Sequence, residues 1–245
     1  DDVLCVDIPQ ACAGYVVGLM QSFMLLEHME GKKVLLCTGE TFCRGNKEKQ
    51  EPPYYRAPFG GDAANITIVE NGGQDKICYE FHQDGSQRKC LVIPDGAFRN
   101  PMTVEQIQNQ IVRMPLTGVV MDGSTVFNFA QKEVPILVDS LTKMAETTKE
   151  DIDWFLFHQP NKFMLQKLAE RIGVPFEKMP MDIVGKFGNS NSATIPTAIT
   201  ADLKEEMLNK ESLCCLAGFG AGVAWAGIIM KMGNMDFCDT IISDL

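Results

Sequence analysis

Three side chains far apart in the chain have the types that a cysteine-nucleophile site needs: the thiol of Cys12, the imidazole of His158 and the carboxamide of Asn189. Cys12 sits in the small-residue turn Ala11-Cys12-Ala13-Gly14, between the apolar stretch Val3-Leu4-Cys5-Val6 and the long apolar segment Val16 to Met29. If that segment is a helix, the sulfur lies at its positive end, where unpaired backbone N–H groups and the macrodipole favour a thiolate over a thiol. The competing interpretation is packing, since free cysteine is among the most buried residue types and eight others accompany it: Cys5, Cys37, Cys43, Cys78, Cys90, Cys214, Cys215 and Cys238. Nine is an odd number, with no CxxC pair and no CxxC…HxxxH spacing, so neither a disulfide framework nor a zinc site is supported. Reduced thiols in a cytoplasmic protein are the economical inference.

His158 closes the run Trp154-Phe155-Leu156-Phe157 and precedes Gln159-Pro160-Asn161, which puts it at the carboxyl end of a strand, where open α/β sheets place ligands. Asn189 lies in Gly185-Lys186-Phe187-Gly188-Asn189-Ser190-Asn191-Ser192, again between a strand and a helix. His28 and His82 read as structural or exposed. A cysteine protease would also combine Cys, His and Asn, but its histidine must serve as base toward the cysteine in a different strand context.

The elements that must carry these groups follow from periodicity. Strands are expected at Val3–Asp7, Lys33–Thr38, Asp62–Glu70, Lys76–Gln83, Trp154–Phe157, Met181–Val184, Leu213–Phe219 and Val223–Met232. Helices are expected at Cys12–Glu30, Val104–Val112, Val126–Thr147, Lys162–Ile172 and Ser192–Leu208, with Gly31 and Gly173 as stops. Arg44 to Pro58 and Asp84 to Pro101 read as polar surface segments, and Asn71-Gly72-Gly73 as a turn. The alternation predicts an α/β class with a largely parallel sheet covered on both faces, beginning with a parallel βαβ unit. There is an internal echo: strand, Gly-bearing turn, buried helix and two strands occur from Val3 to Glu70 and again from Met181 to Met232.

With 245 residues, 45% of them hydrophobic, the chain can bury a sizeable core, and a net charge of −10 without a basic run argues against nucleic acid. The most apolar window, Ala11 to Met29, holds Gln21, Ser22, Glu27 and His28, so it reads as a buried helix and not a membrane span. No secretory signal is visible. The chain opens with Asp1 and enters an apolar stretch almost at once, so an upstream segment is expected to be missing.

Five segments carry a family resemblance: Ala11-Cys12-Ala13-Gly14-Tyr15, Met121 to Ala130, Asp153 to Asn161, Phe187 to Pro196, and Phe219-Gly220-Ala221-Gly222-Val223-Ala224-Trp225. In order and spacing they resemble β-ketoacyl-acyl-carrier-protein synthase III. The resemblance implies a thiolase-like fold, two similar βαβαβ halves in an α-β-α-β-α layering with the first half incomplete. Residues 1–72 would be the end of the first half and 73–245 the second. It implies that Cys12 attacks an acyl thioester as a thiolate and holds the acyl group, with the backbone N–H groups of Cys12 and Ala221 stabilising the oxyanion. Ala221 stands where the family usually has glycine, which matters only if the loop needs a φ that alanine resists. His158 Nε2 and the Asn189 amide would then donate to the enolate oxygen formed when a malonyl thioester loses carbon dioxide, which requires a neutral imidazole with its proton on that nitrogen.

Gln159, Asn161, Gly188, Phe157, Phe187 and Phe219 are expected around the substrate, the first two with Ser190 by fixing loop geometry and the phenylalanines by lining an acyl pocket or by plain packing. The resemblance implies no permanently bound cofactor, with acyl-coenzyme A and malonyl-acyl-carrier-protein as substrates in the initiation of fatty acid or polyketide synthesis. Acyl carrier protein, the missing N-terminal segment (possibly as a separate chain) and a second copy in a homodimer are the expected partners. The carrier is acidic, and here Asn128 and Phe163 stand at commonly basic positions, with Lys162, Lys167 and Arg171 nearby. Acyl transfer to a hydroxyl or amine by a diverged relative, plant-type polyketide synthesis, or an inert assembly subunit are the alternatives.

Overall fold

The structure, a computed structural model, describes residues 3–41, 60–73, 75–94 and 120–243, with positions 98, 100, 101, 103–105 and 108 between them. The expected polar segment at Arg44–Pro58 and most of the expected helix at Val104–Val112 lie outside the described residues. In chain order come α1 (Gly14–Leu26), β1 (Lys33–Thr41), β2 (Asp62–Glu70), β3 (Cys78–Gln83), β4 (Leu91–Val92), β5 (Val120–Met121) and α2 (Gly123–Met144). Then follow β6 (Trp154–Phe157), α3 (Lys162–Ile172), α4 (Ile183–Phe187), α5 (Thr194–Asp202), α6 (Lys204–Asn209), β7 (Glu211–Gly220) and β8 (Ala224–Gly233). One-turn 3₁₀ helices at Ala11–Ala13 and Asn191–Ala193 lead directly into α1 and α5.

The central sheet has the order β3-β8-β7-β6; its inner strands are buried on both faces, while the edge strand β3 is largely exposed. Because side chains alternate along a strand, Phe155, Phe157, Cys215, Ala217, Phe219 and Ile229 point to one face. There they meet the apolar stripe Phe129, Val134, Leu137, Val138 and Leu141 of α2, and Leu165 and Leu168 of α3. Leu156, Cys214, Leu216, Ala226 and Ile228 point to the other face and meet α1 and Ile195 and Ile199 of α5. Beyond that second helical layer lies the β1–β2 pair, which contributes Leu36 and Val69 to the same core. The layering is therefore α-β-α-β. The outer face of β1–β2 leaves Leu35, Ile66 and Ile68 exposed.

Local signals account for the helix ends. Asp122 caps α2, its carboxylate accepting from the Thr125 backbone N–H at 3.0 Å and from the hydroxyls of Ser124 and Thr125. Those hydroxyl and N–H donors hold the Asp122 carboxyl down at about 2. Gly173 ends α3 at φ 82°, a left-handed conformation that glycine adopts without steric cost.

Four expectations are corrected. Val3–Asp7 is not a strand: no described strand pairs with it, and without a ladder an extended apolar stretch has no reason to hold a register, so the initial parallel βαβ unit does not form. The sheets are not largely parallel among the described residues: only β6–β7 is, while β1–β2, β3–β8, β4–β5 and β7–β8 run antiparallel, the last because the loop joining β7 to β8 is too short for a crossover. Met181–Val184 is not a strand either. Ile183 begins the short helix α4, and a four-residue stretch carries too little periodicity to tell the two apart. The single helix expected at Ser192–Leu208 is broken at Leu203 into α5 and α6. The strands Asp62–Glu70 and Trp154–Phe157 and the helix Lys162–Ile172 have the expected bounds. Among the described residues no helix is long and apolar enough to cross a membrane.

Phe155 is fully buried between β6 and the α2–α3 layer. Phe155→Ala is expected to lower the unfolding free energy by roughly 3–5 kcal/mol, read from the midpoint of a denaturant titration.

Candidate active site

The site is built where α1 and α5 start side by side. Each begins with a 3₁₀ turn whose first residue is left-handed, Ala11 at φ 42° and Asn191 at φ 47°. The two turns touch: a Cβ on Gly14 would stand 3.3 Å from the Ser192 Cβ, so the chain carries glycine there and the helix starts converge. Cys12 and Ser192 hold equivalent places in the two turns, as the internal echo implies. Strand β7 passes across the Cys12 turn with Gly218 and Gly220. A Cβ on Gly220 would lie 2.8 Å from the Cys12 sulfur, so only glycine leaves that side of the sulfur open.

Cys12 Sγ is buried and donates to Asn191 Oδ1 at 3.3 Å, and the backbone N–H groups of Ala221 and of Cys12 itself point at it. These are the two N–H groups expected to form an oxyanion hole. Ala221 is not at positive φ; the unusual conformation falls on Gly222, at φ 136°, so alanine fits the position where the family usually has glycine. Burial outweighs the helix end. With the Glu40 charge added, and against the pull of the two N–H groups, it pushes the Cys12 thiol up to about 12, so the resting group is a thiol and not the expected thiolate.

His158 follows β6 as expected and is buried, which pulls its imidazole down to about 4 and keeps it neutral at neutral pH; the Asn191 backbone carbonyl opposes that shift. Its Nδ1 lies 2.8 Å from Thr194 Oγ. The Thr194 hydroxyl donates to the Asn191 carbonyl at 2.8 Å and accepts from the Gln159 N–H at 3.2 Å. While its one hydrogen is spent on that carbonyl, Thr194 can only accept from Nδ1–H, and Nε2 is bare. When the hydroxyl turns to Nδ1, Nε2 carries the proton and becomes a donor. Phe219 packs edge-on against the imidazole with ring centroids 5.6 Å apart.

Asn189 is fixed by backbone. Its Oδ1 accepts from the Asn191 N–H at 2.9 Å, and its carbonyl accepts from the Gly61 N–H at 3.0 Å. Gly188, at φ 74°, and Gly61 press backbone to backbone, where a Cβ on Gly61 would sit 2.1 Å from the Phe187 carbonyl oxygen. With Oδ1 occupied, the Asn189 Nδ2 hydrogens are the ones left to offer. Sulfur and imidazole therefore converge on one residue, Asn191, with Asn189 bonded to its N–H.

Other expected residues are spent on structure. Phe157 is packed in the core against Phe155, Gln159 Nε2 donates to the carbonyls of Phe157 (2.9 Å) and Pro180 (2.8 Å), and Asn161 caps α3 through the Met164 N–H at 2.8 Å. Phe187 is partly buried at the end of α4. On the surface, Lys162 pairs with Asp182 at 2.6 Å and Lys167 with Glu170 at 2.7 Å, while Phe163 is exposed and stacked on Phe127. Glu40, Asn191 and Thr194 were not singled out from sequence. Asn191 and Thr194 lie inside the Phe187–Pro196 motif, so their neighbourhood was visible although their contacts were not; Glu40 carries no local signal.

Two outcomes follow from these contacts. Gly220→Ala is expected to slow modification of Cys12 by iodoacetamide at least tenfold with the circular dichroism spectrum unchanged. The folded His158 titrates near 4 against about 6.5 when unfolded, so between those values the unfolded chain binds more protons. This contribution to stability is complete above about pH 6.5 and lost as pH falls toward 4, at most about 3 kcal/mol. Denaturant midpoints measured from pH 7 to 4 should fall less steeply in His158→Gln than in the wild type.

Comparison with known proteins gives the frame. The family described as "3-Oxoacyl-[acyl-carrier-protein (ACP)] synthase III C terminal" matches residues 142–232. The β-ketoacyl-[acyl-carrier-protein] synthase III of Synechocystis sp. is 31% identical over 226 residues, 92% of this chain and 66% of that protein. That of Natranaerobius thermophilus is 28% identical over 233 residues, 94% of this chain and 69% of that protein. The crystal structure of a 3-oxoacyl-(acyl-carrier protein) synthase from Burkholderia xenovorans superposes with a TM-score of 0.83 at 32% identity, over 98% of this chain and 67% of that one. The chain spans about two thirds of the length of the relatives it matches. The fold is that of the thiolase-like synthases, with helices and sheets layered as found here, and the chain belongs to the β-ketoacyl-[acyl-carrier-protein] synthase III family.

Proposed function

We propose that the protein carrying this chain forms an acyl-cysteine at Cys12 and catalyses the decarboxylative Claisen condensation of that acyl group with malonyl-acyl-carrier-protein, as an initiating step of fatty acid or polyketide synthesis. The observation that carries the proposal is the convergence of the Cys12 sulfur and the His158 imidazole on Asn191, with two backbone N–H groups aimed at the sulfur. In the first half-reaction the sulfur attacks the carbonyl carbon of an acyl thioester such as acyl-coenzyme A. The oxyanion is held by the N–H groups of Cys12 and Ala221, a contribution of about 3–4 kcal/mol per donor. The carbon–sulfur bond to the donor then breaks, and the leaving thiolate takes up the proton that Cys12 lost.

In the second half-reaction the malonyl thioester loses carbon dioxide, and its enolate carbon attacks the acyl carbonyl and expels Cys12. The enolate oxygen accepts from Asn189 Nδ2, left free because Oδ1 is engaged, and from His158 Nε2. The neutral imidazole can do this in the tautomer that carries its proton on Nε2, which is the one present when the Thr194 hydroxyl is turned to Nδ1. Thr194 thus positions the proton that His158 offers. Phe219 packs against the His158 imidazole, and Gly188 lets the Asn189 loop press against Gly61.

An acidic carrier protein as partner is supported by the lysines of α3, although Lys162 and Lys167 already face acids of their own and the exposed Phe163 adds an apolar contact instead of a charge. The exposed apolar face of β1–β2 is what a fifth layer of the fold or a second copy would cover. Eight described cysteines without a disulfide fit a reducing, cytoplasmic setting.

Intact mass after incubation with a short acyl-coenzyme A tests the proposal. The wild type is expected to gain one acyl mass and Cys12→Ala none. His158→Ala is expected to acylate yet decarboxylate malonyl thioester roughly a hundredfold more slowly. Acylation without malonyl turnover in the wild type would point to a hydroxyl or amine acceptor, and no acylation at all would leave an assembly subunit.

A further inference from the structure

Glu40 ends the inward face of β1 and is half-buried beside the nucleophile. Its carboxylate hydrogen-bonds the side chain of Asn191, whose other end receives the Cys12 thiol. A carboxylate only accepts, so Asn191 must present Nδ2 to Glu40, and this leaves Oδ1 on the sulfur. The amide orientation is therefore not free: it is set by the charge of Glu40. A carboxamide oxygen accepts from a thiol and repels a thiolate, and the Glu40 charge itself repels a second negative charge nearby.

We propose that Glu40 and Asn191 control the proton of Cys12: with Glu40 ionised, Asn191 keeps its oxygen on a resting thiol, and turning the carboxamide over as Glu40 gains a proton gives the sulfur an N–H donor and releases the thiolate. The bookkeeping closes. One proton leaves Sγ and one arrives on the Glu40 carboxyl, whose O–H then donates to Asn191 Oδ1 in the turned orientation, so the pocket holds one negative charge before and after. No redox partner is involved. The groups that bear on the sulfur are Glu40 from β1, the N–H of Ala221 beyond β7 and that of Cys12 itself; His158, at the end of β6, faces the same Asn191 through its backbone carbonyl. Burial raises the Glu40 carboxyl above the usual range, which brings it nearer to accepting a proton, although its bond to Asn191 opposes this. Two acids coupled this way titrate as a unit. Asn191 touches the reacting atom, whereas Glu40 acts through it and is a positioning residue.

The inference takes Cys12 as the nucleophile of the proposed function, so its test reads thiol chemistry separately from turnover. Iodoacetamide modification of Cys12 is followed by peptide mass from pH 6 to 10 in the wild type, Glu40→Gln, Asn191→Gly and the double variant. Glycine keeps the left-handed backbone of position 191. Glu40→Gln, a neutral isostere of the protonated acid, is expected to modify at least threefold faster at pH 7, with its profile displaced to lower pH. In the Asn191→Gly background the same change should alter the rate less than half as much. An unmoved profile in Glu40→Gln overturns the proposal, as does an equal displacement with and without Asn191, which would assign the effect to charge alone. If Glu40→Gln does not fold, Asn191→Asp decides: it keeps an oxygen on the sulfur and removes the N–H, so modification at least tenfold slower is expected, and an unchanged rate overturns the proposal. Acyl-mass gain by the wild type is recorded in parallel. Its absence would remove the proposed function while leaving the proton control to be judged by the modification rates.

Discussion

The contact between two helix starts is the constraint on which the site depends. α1 and α5 lie buried in one layer between two sheets, and their starts meet at Gly14 and Ser192 so closely that a methyl group on Gly14 would press inside ordinary van der Waals distance. A helix start exposes N–H groups with no partner in their own helix, and two starts placed together concentrate such groups in one buried spot. Strand β7 supplies a further N–H beyond Gly220, and the Asn189 loop is pressed in by backbone contact at Gly61 and Gly188. The Cys12 sulfur lies where these pieces are held by main-chain packing, which allows little displacement.

Two electrostatic terms compete at that spot. The N–H groups favour a thiolate, and burial with the Glu40 charge favours a thiol; burial wins in the resting protein and leaves the sulfur protonated. The same burial keeps His158 neutral, so whether its Nε2 can donate depends on the tautomer that Thr194 allows. A cysteine held as a thiol is protected from random alkylation and oxidation, because the thiolate is the reactive species. Asn191 links the two halves of the chemistry: its side chain meets the sulfur and its backbone meets both the imidazole and the hydroxyl of Thr194.

Much of this was legible in the residues themselves. Period-3.6 patterns predicted α2 and α3 closely, since each must bury one continuous apolar face, and the short uninterrupted apolar run Trp154–Phe157 predicted β6, which is buried on both faces. The Ala11–Gly14 turn and the loops after β6 and α4 marked Cys12, His158 and Asn189, because small residues, strand ends and glycine have positional meaning that survives without a structure. Failures fell where neighbours decide. Val3–Asp7 has strand composition and no strand to pair with among the described residues, and Met181–Val184 is too short for its period to distinguish strand from helix. Gln159 and Asn161 have the polarity of site residues, yet one ties two buried carbonyls and the other caps a helix.

By itself the sequence determined which groups were available, where the helices and most strands run, and that a cysteine would stand at the mouth of a buried helix, for these depend on local spacing and burial pattern alone. Only the tertiary structure decided that Glu40, from another strand, charges the environment of the sulfur, that Asn191 and not Asn189 touches it, and that Thr194 sets the imidazole tautomer. Those outcomes are products of desolvation and of hydrogen-bond geometry between residues up to 179 positions apart, and both quantities exist only once the layers have closed around the site.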